Sequence, residues 1–175
     1  MFIHPRSHLS HLGIQSGQQI ADFGTGSGFY AFAAAEMLHG QGKVFAIDIQ
    51  KDLLDRLKNE AVRRGLDTVS VVWGDVEQLG GTHLRDTSID RVIISDVLSQ
   101  AEDQGKVAAE AARIVKSNGK LLVVDWSDSS DLSGPDRSHL ISAENAQVLF
   151  EAVGFAFEKK LPAGGHHYSF IMHKN

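Results

Sequence analysis

The sequence predicts an α/β protein: a doubly wound, mostly parallel seven-stranded sheet that ends in an antiparallel β-hairpin. Three observations lead there. Short apolar runs alternate with helical patterns along most of the chain, which implies parallel strands with crossover helices on both faces. Several runs are continuously apolar rather than alternating, as strands covered on both sides are. The C-terminal part breaks the alternation with two successive strand-like runs, 155–161 and 168–173. They are joined by Pro162-Ala163-Gly164-Gly165-His166-His167, a hairpin with a glycine loop.

The elements follow in order. Residues 5–12 form a short helix, part of an N-terminal cap segment (1–14) over the sheet or the mouth of a site. Strands are expected at 19–23, 43–48, 69–73, 91–95 and 120–125, and helices at 29–39, 51–64, 104–116 and 143–153. In the second long helix Leu53, Leu54, Leu57 and Ala61 share one face, while Asp52, Lys58 and Glu60 face water. Arg63-Arg64 followed by Gly65 gives it a cationic last turn and a glycine stop. Ser142 is placed to cap the last helix, with Glu144 near its positive end. Residues 127–138 read as a polar loop.

Composition sets bounds. A chain of 175 residues fits one domain spanning 1–175. Such a chain buries about 70% of its unfolded surface, enough for a core of its own. No apolar run approaches the ~20 residues that span a bilayer. The first residues lack the apolar core of a signal peptide, so a cytoplasmic location is expected. The chain has no cysteine, hence no disulfide or thiolate metal site. A net charge of −5 with scattered basic residues argues against a nucleic-acid partner.

The segment Ala21-Asp22-Phe23-Gly24-Thr25-Gly26-Ser27-Gly28 joins the first strand to an alanine-rich helix. Three glycines at alternate positions remove side chains where backbone must pass close to a flat ligand. Beyond them, at the end of the second strand, stands Asp48, suited to accept hydrogen bonds from ribose hydroxyls. The pattern is that of a nucleoside site. A nicotinamide or flavin protein is the competing reading, but its usual spacing is G-x-G-x-x-G with a pyrophosphate on the helix N-terminus.

On these residues the chain resembles the class I S-adenosylmethionine-dependent methyltransferases, a Rossmann-like family. Asp22 to Gly28 resembles their first motif, Asp48 their second-strand acid, and Gly74-Asp75-Val76 the segment that contacts adenine. Ser88 to Asp96 resembles the fourth-strand motif. Lys116-Ser117-Asn118-Gly119-Lys120-Leu121 resembles the entry to the fifth strand, with Ser117 where proline is usual. Gly134-Pro135, Arg137, Ile141-Ser142 and Gly154-Phe155 echo a narrower group, the small-molecule methyltransferases of quinone biosynthesis and metalloid methylation. The arsenic-methylating members use cysteines, which this chain lacks.

The resemblance implies S-adenosyl-L-methionine as cofactor and a small-molecule acceptor. Asp22 is expected at the methionine amino group, Asp48 at the ribose and Asp75 at the adenine amino group, with Ile49 and Val76 sandwiching the ring. Gly24, Thr25, Gly26, Gly28, Gly74 and Ser95 complete the cofactor surface. Asp96, where parallel strands open into the crevice, either takes a proton from the acceptor or positions it, and His139 is a second candidate base. Trp126, Arg137 and His166 are candidate acceptor contacts, Arg137 through its planar fork. No metal is expected, because adjacent His166 and His167 point to opposite faces of a strand and no HExxH pattern is present. His4, His8 and His11 read as one exposed helical face. An RNA or protein methyltransferase, a nicotinamide-dependent oxidoreductase and a non-catalytic cofactor-binding module are the alternatives.

Overall fold

The computed structural model describes residues 4–127 and 135–175, the Arg137 side chain excepted. The chain runs α1 (Pro5–Leu12), β1 (Gln19–Phe23), α2 (Phe29–Met37), β2 (Lys43–Asp48), α3 (Lys51–Arg63), β3 (Val69–Trp73), β4 (Ile89–Ser95), α4 (Gln104–Ile114), β5 (Val115–Trp126), α5 (Ala143–Glu151), β6 (Phe155–Leu161) and β7 (His167–Lys174). A single 3₁₀ turn, Arg137–His139, precedes α5.

The strands form one seven-stranded sheet in the order β3-β2-β1-β4-β5-β7-β6. The first five pair in parallel, and β7 lies antiparallel to both β5 and β6. Strand order reverses between β1 and β4, so the crevice of a doubly wound sheet opens at their carboxyl ends.

Two apolar layers cover the sheet. One face packs Phe23, Ile94, Val123 and Phe170 against α4 and α5 through Val107, Ala111 and Phe150. The other packs Ile20, Ile93, Leu122 and Ile171 against α1, α2 and α3 through Leu9, Ala31, Leu38 and Leu57. Each fully buried Ile, Leu or Phe side chain contributes roughly 1.5–3 kcal/mol. Truncating Phe23, fully buried in the central strand, to alanine costs about 3–5 kcal/mol.

Capping follows the expected chemistry. Ser142 accepts a hydrogen bond from the Asn145 amide at the start of α5. Gly65 takes φ +66 just past α3. Arg91 of β4 donates to the carbonyls of Leu12 and Gly13, closing the end of α1 against the sheet.

Two expectations are corrected. β5 begins at Val115 rather than near 120, because the polar stretch Lys116-Ser117-Asn118-Gly119 remains extended past an irregular register with β4. His8 is buried, not part of an exposed polar face, whereas His4 and His11 are exposed. Gly134 and most of the 127–138 loop lie outside the described residues.

Candidate functional site

The three glycines after β1 all have positive φ but serve different contacts. A Cβ on Gly24 would meet Val97 at 2.7 Å, and one on Gly28 would meet Leu57 at 2.8 Å, so both are required by close packing. A Cβ on Gly26 would meet nothing nearer than the Gly24 carbonyl at 3.8 Å. Its bare backbone therefore faces open space, a cradle a side chain would fill.

The turn is held from β2. The Gly26 amide donates to Asp48 Oδ2 at 3.0 Å and the Thr25 amide to the Ile47 carbonyl at 2.9 Å. Asp48 Oδ1 accepts from the Gln50 amide. Each carboxylate oxygen retains a second lone pair for a ligand hydroxyl. Beside it Ile49 is 62% exposed, an apolar side chain at the strand end, and its carbonyl accepts from the Trp73 indole.

Beneath the turn Asp22 is buried and accepts the Thr25 hydroxyl at 2.7 Å. Burial pushes its carboxyl up to about 7, partly opposed by the Thr25 hydroxyl and the Ala31 amide. Helix α2 begins without a side-chain cap. A buried carboxylate that favours a cationic neighbour thus lies beside a helix N-terminus that favours an anion, a donor set matched to a zwitterionic amino acid.

The loop after β3 carries Gly74, Asp75 and Val76. The Gly74 amide donates to the Asp48 carbonyl, and a Cβ there would meet the Gly81 carbonyl at 2.5 Å. Asp75 accepts from the Glu77 amide and the Gln78 side-chain amide, stabilising its own turn. The whole loop is tied to α4 by Glu110, fully buried, which accepts from the Gly80 amide, the Thr82 amide and the Thr82 hydroxyl. Arg113 grips the same carboxylate with two fork bonds of 2.8 and 2.7 Å. Burial alone would raise the pKa of Glu110, but the Arg113 and Thr82 bonds outweigh it and hold it low.

Across the switch point, Ser95 and Asp96 end β4. Asp96 adopts φ +56, a conformation uncommon outside glycine, asparagine and aspartate. Its Oδ1 lies 3.0 Å from His167 Nε2, and the His167 ring packs on Trp126 with centroids 4.4 Å apart. Asp125, also buried, accepts the amides of Leu98, Ser99 and Trp126 and so fixes the segment that follows Asp96. Burial raises its pKa.

A second polar chain reaches the same place from α1. His8 Nε2 donates to the Pro162 carbonyl at 2.8 Å, so the neutral ring accepts the Tyr30 hydroxyl at Nδ1, 2.7 Å away. The Tyr30 hydroxyl in turn bonds Ser95. Burial keeps His8 below its ordinary pKa. Burial, then the charges of Asp22 and Asp96, raises that of Tyr30.

The structure thus gathers Asp22, Gly24, Thr25, Gly26, Gly28, Asp48, Ile49, Gly74, Asp75, Val76, Ser95, Asp96 and Trp126 along the carboxyl edge of the sheet. His139 is exposed in its 3₁₀ turn, where its carbonyl accepts from Gln104 of α4. The Arg137 side chain lies outside the described residues. His166 is exposed in the hairpin turn and contributes its carbonyl to the Ser127 amide. The ring that reaches Asp96 belongs to its neighbour, His167. Strand alternation separates them: Tyr168, Phe170 and Met172 face α4 and α5, whereas Ile171 packs on the opposite layer and Ser169 lies against His8. Tyr30, Glu110 and Asp125 carried no role in the sequence reading, and His8 only that of an exposed helical face. Only Glu110 and Arg113 carried a local signal, an opposite-charge pair at i,i+3 on one helix.

Strand order 3-2-1-4-5-7-6 with a glycine turn at the reversal point defines the class I methyltransferase fold. A family profile described as a methyltransferase domain matches residues 14–168, and the chain belongs to that family. It is 28% identical over 134 residues to an arsenite methyltransferase of Aquipseudomonas alcaligenes, covering 70% of this chain and 39% of that protein. It is 28% identical over 120 residues to the ubiquinone/menaquinone biosynthesis C-methyltransferase UbiE of Francisella philomiragia, covering 68% of this chain and 47% of the relative. The chain therefore spans less than half the length of these two curated relatives. Among solved structures, a SAM dependent methyltransferase from Aquifex aeolicus superposes with a TM-score of 0.86 at 23% identity, covering 98% of this chain and 89% of that one. The [4+2]-cyclase SpnF superposes at 0.82 with 15% identity over 97% of this chain and 79% of its own. One fold carries both names, so the chemistry must be argued from the site. Among the described residues no helix is long and apolar enough to cross a membrane.

Proposed function

We propose that this chain is an S-adenosyl-L-methionine-dependent methyltransferase acting in the cytoplasm on a small-molecule acceptor, with no nucleic-acid partner. The observation that carries the reading is the Gly26 cradle, open above and flanked by the carboxylates of Asp22 and Asp48. When bound, the cofactor supplies an electrophilic methyl group on a sulfonium.

The chain's own residues do the rest. Asp22 and the uncapped start of α2 bind the amino and carboxylate ends of the methionyl group. Asp48 accepts the ribose hydroxyls, Ile49 and Val76 flank the adenine, and the Glu110 tether keeps the Gly74–Val76 segment in place. Ser95 and Asp96 face the transfer point, with Trp126 as its wall. Arg137, His139 and His166 remain candidate contacts at the acceptor rim. Orientation and exclusion of water supply most of the acceleration, on the order of 7–11 kcal/mol. Arsenite is set aside as acceptor, because the chain offers no thiolate to hold a soft metalloid.

Calorimetric titration with S-adenosylmethionine and S-adenosylhomocysteine tests the reading. Saturable binding of both, lost on Asp48→Ala and on Gly26→Val, is expected. Absence of binding at hundreds of micromolar, with binding of a nicotinamide nucleotide instead, would reject it.

A further inference from the structure

We propose that His167, aligned by Asp96, takes the proton from the methyl acceptor, and that the acceptor is therefore an un-ionised O–H or N–H compound rather than a preformed carbanion. The proposal rests on the cofactor reading above and names the acceptor chemistry of that site.

Three observations carry it. First, the Asp96 carboxylate only accepts, so the 3.0 Å contact fixes the neutral His167 ring as its Nε2–H form. The lone pair is then on Nδ1, and the carboxylate stabilises the imidazolium that would form. This is the division of labour of a base and its orienting acid. Second, the pair sits at the carboxyl end of β4 and the amino end of the antiparallel β7, on the crevice side of the strand-order reversal, with Trp126 packed on the ring. Asp96 holds a left-handed backbone conformation there, and such strain is characteristic of functional positions. Third, His167 also borders a cavity of about 400 Å³ between α5 and the β6–β7 end, which adjoins the Asp96 side of the ring without including Asp96 or the glycine turn in its walls. The pocket is lined with polar groups from Ser142, Glu144 and Lys160 as well as Pro162 and Tyr168. That volume suits a small polar molecule.

The step balances without another reactant. The acceptor heteroatom forms its bond to the methyl carbon as the carbon–sulfur bond breaks, and the sulfonium becomes a neutral thioether. The acceptor proton moves to His167 Nδ1, giving an imidazolium paired with Asp96, and leaves to solvent after product departs. Charged and titratable groups near His167 are Asp96 from the end of β4, His8 from α1, Glu144 from α5 and Lys160 from β6.

Two measurements test it. In the unliganded protein, nitrogen-15 NMR of the histidine rings is expected to show His167 with Nε2 protonated and Nδ1 bare. Asp96→Asn should weaken that preference while keeping the fold, because asparagine tolerates positive φ. A wild-type ring protonated on Nδ1, or one indifferent to Asp96→Asn, overturns the proposal. Methyl transfer is then followed with labelled S-adenosylmethionine and three probes: catechol and phenol, un-ionised donors, and 4-nitrocatechol, more readily ionised. His167→Gln should lower transfer to catechol or phenol by about 10²-fold or more, with a much smaller loss on 4-nitrocatechol. Equal losses on all probes overturn the base assignment. Transfer to none of them by a wild-type protein that binds S-adenosylhomocysteine overturns the acceptor class. Failure to bind S-adenosylhomocysteine would instead defeat the cofactor reading, and the NMR result is read without it.

Discussion

Asp22 gives the sharpest quantitative expectation. It is almost fully buried, and its carboxyl is pushed from 3.8 to about 7, chiefly by desolvation. Between those values the folded state holds a proton that the unfolded chain has released. Stability therefore falls as pH rises through this window, is fully present below pH ~4 and is lost above pH ~7. At ~1.4 kcal/mol per pH unit, the interval corresponds to a ceiling of ~4 kcal/mol. Asp22→Asn removes the charge, keeps the shape and retains an oxygen for the Thr25 hydroxyl. Denaturant unfolding of both proteins from pH 4 to 8 measures the difference, with other titrations common to the two. The variant should gain on wild type steadily across the window and be more stable at pH 8 by up to ~4 kcal/mol. It should also bind S-adenosylhomocysteine weakly, because it offers no carboxylate to the ligand's ammonium. Parallel pH profiles for the two proteins would refute the reasoning, since no buried charge would then be at stake.

Other expectations follow from the same contacts. Glu110→Gln leaves Arg113 with the exposed Asp86 as its one remaining ion pair among the described residues and should cost up to about 3 kcal/mol in urea unfolding. Tyr168→Phe deletes a buried hydroxyl with no hydrogen-bond partner among the described residues, and calorimetric melting should show a neutral to ~1 kcal/mol stabilising effect. His8 is held neutral by burial, so acid should destabilise the α1 contact: stability present above pH ~6.5 is lost as pH falls. Limited proteolysis after residue 12 should accelerate below that pH in wild type and be less pH-dependent in His8→Gln.

The fold was legible because its signals are local. The mostly apolar β1, β2 and β3 were found to the residue, as was α1, and the hairpin announced itself through Gly164-Gly165. The start of β5 was hidden because Lys116 to Gly119 is polar and owes its extension to pairing beyond the local sequence. In the candidate site, the positions of the glycine turn and Asp48 at the carboxyl edge were legible because strand ends and glycine spacing mark them locally. The ring that reaches Asp96 belongs to His167 and not to His166 because a one-residue phase decides which ring turns inward. That phase is fixed by the antiparallel register Asp125↔Tyr168, not by the histidines. Glu110 was missed because its partners, Gly80 and Thr82, lie about a strand and a helix away in sequence.

The buried and half-buried carboxylates also sort themselves by what they bind. Asp48 of β2 clamps the loop after β1, Glu110 of α4 the loop after β3, and Asp125 of β5 the segment after β4. Each crosses from one element to hold the backbone of another, and hydrogen bonds to a charged acceptor contribute about 1.5–3 kcal/mol apiece. Asp96 has a different contact: its carboxylate bonds the His167 ring, at the position where the chain also tolerates an uncommon backbone conformation. The carboxyl edge is thus rigid where a cofactor must be matched in shape. It places the Asp96–His167 contact where the proposed proton transfer would occur.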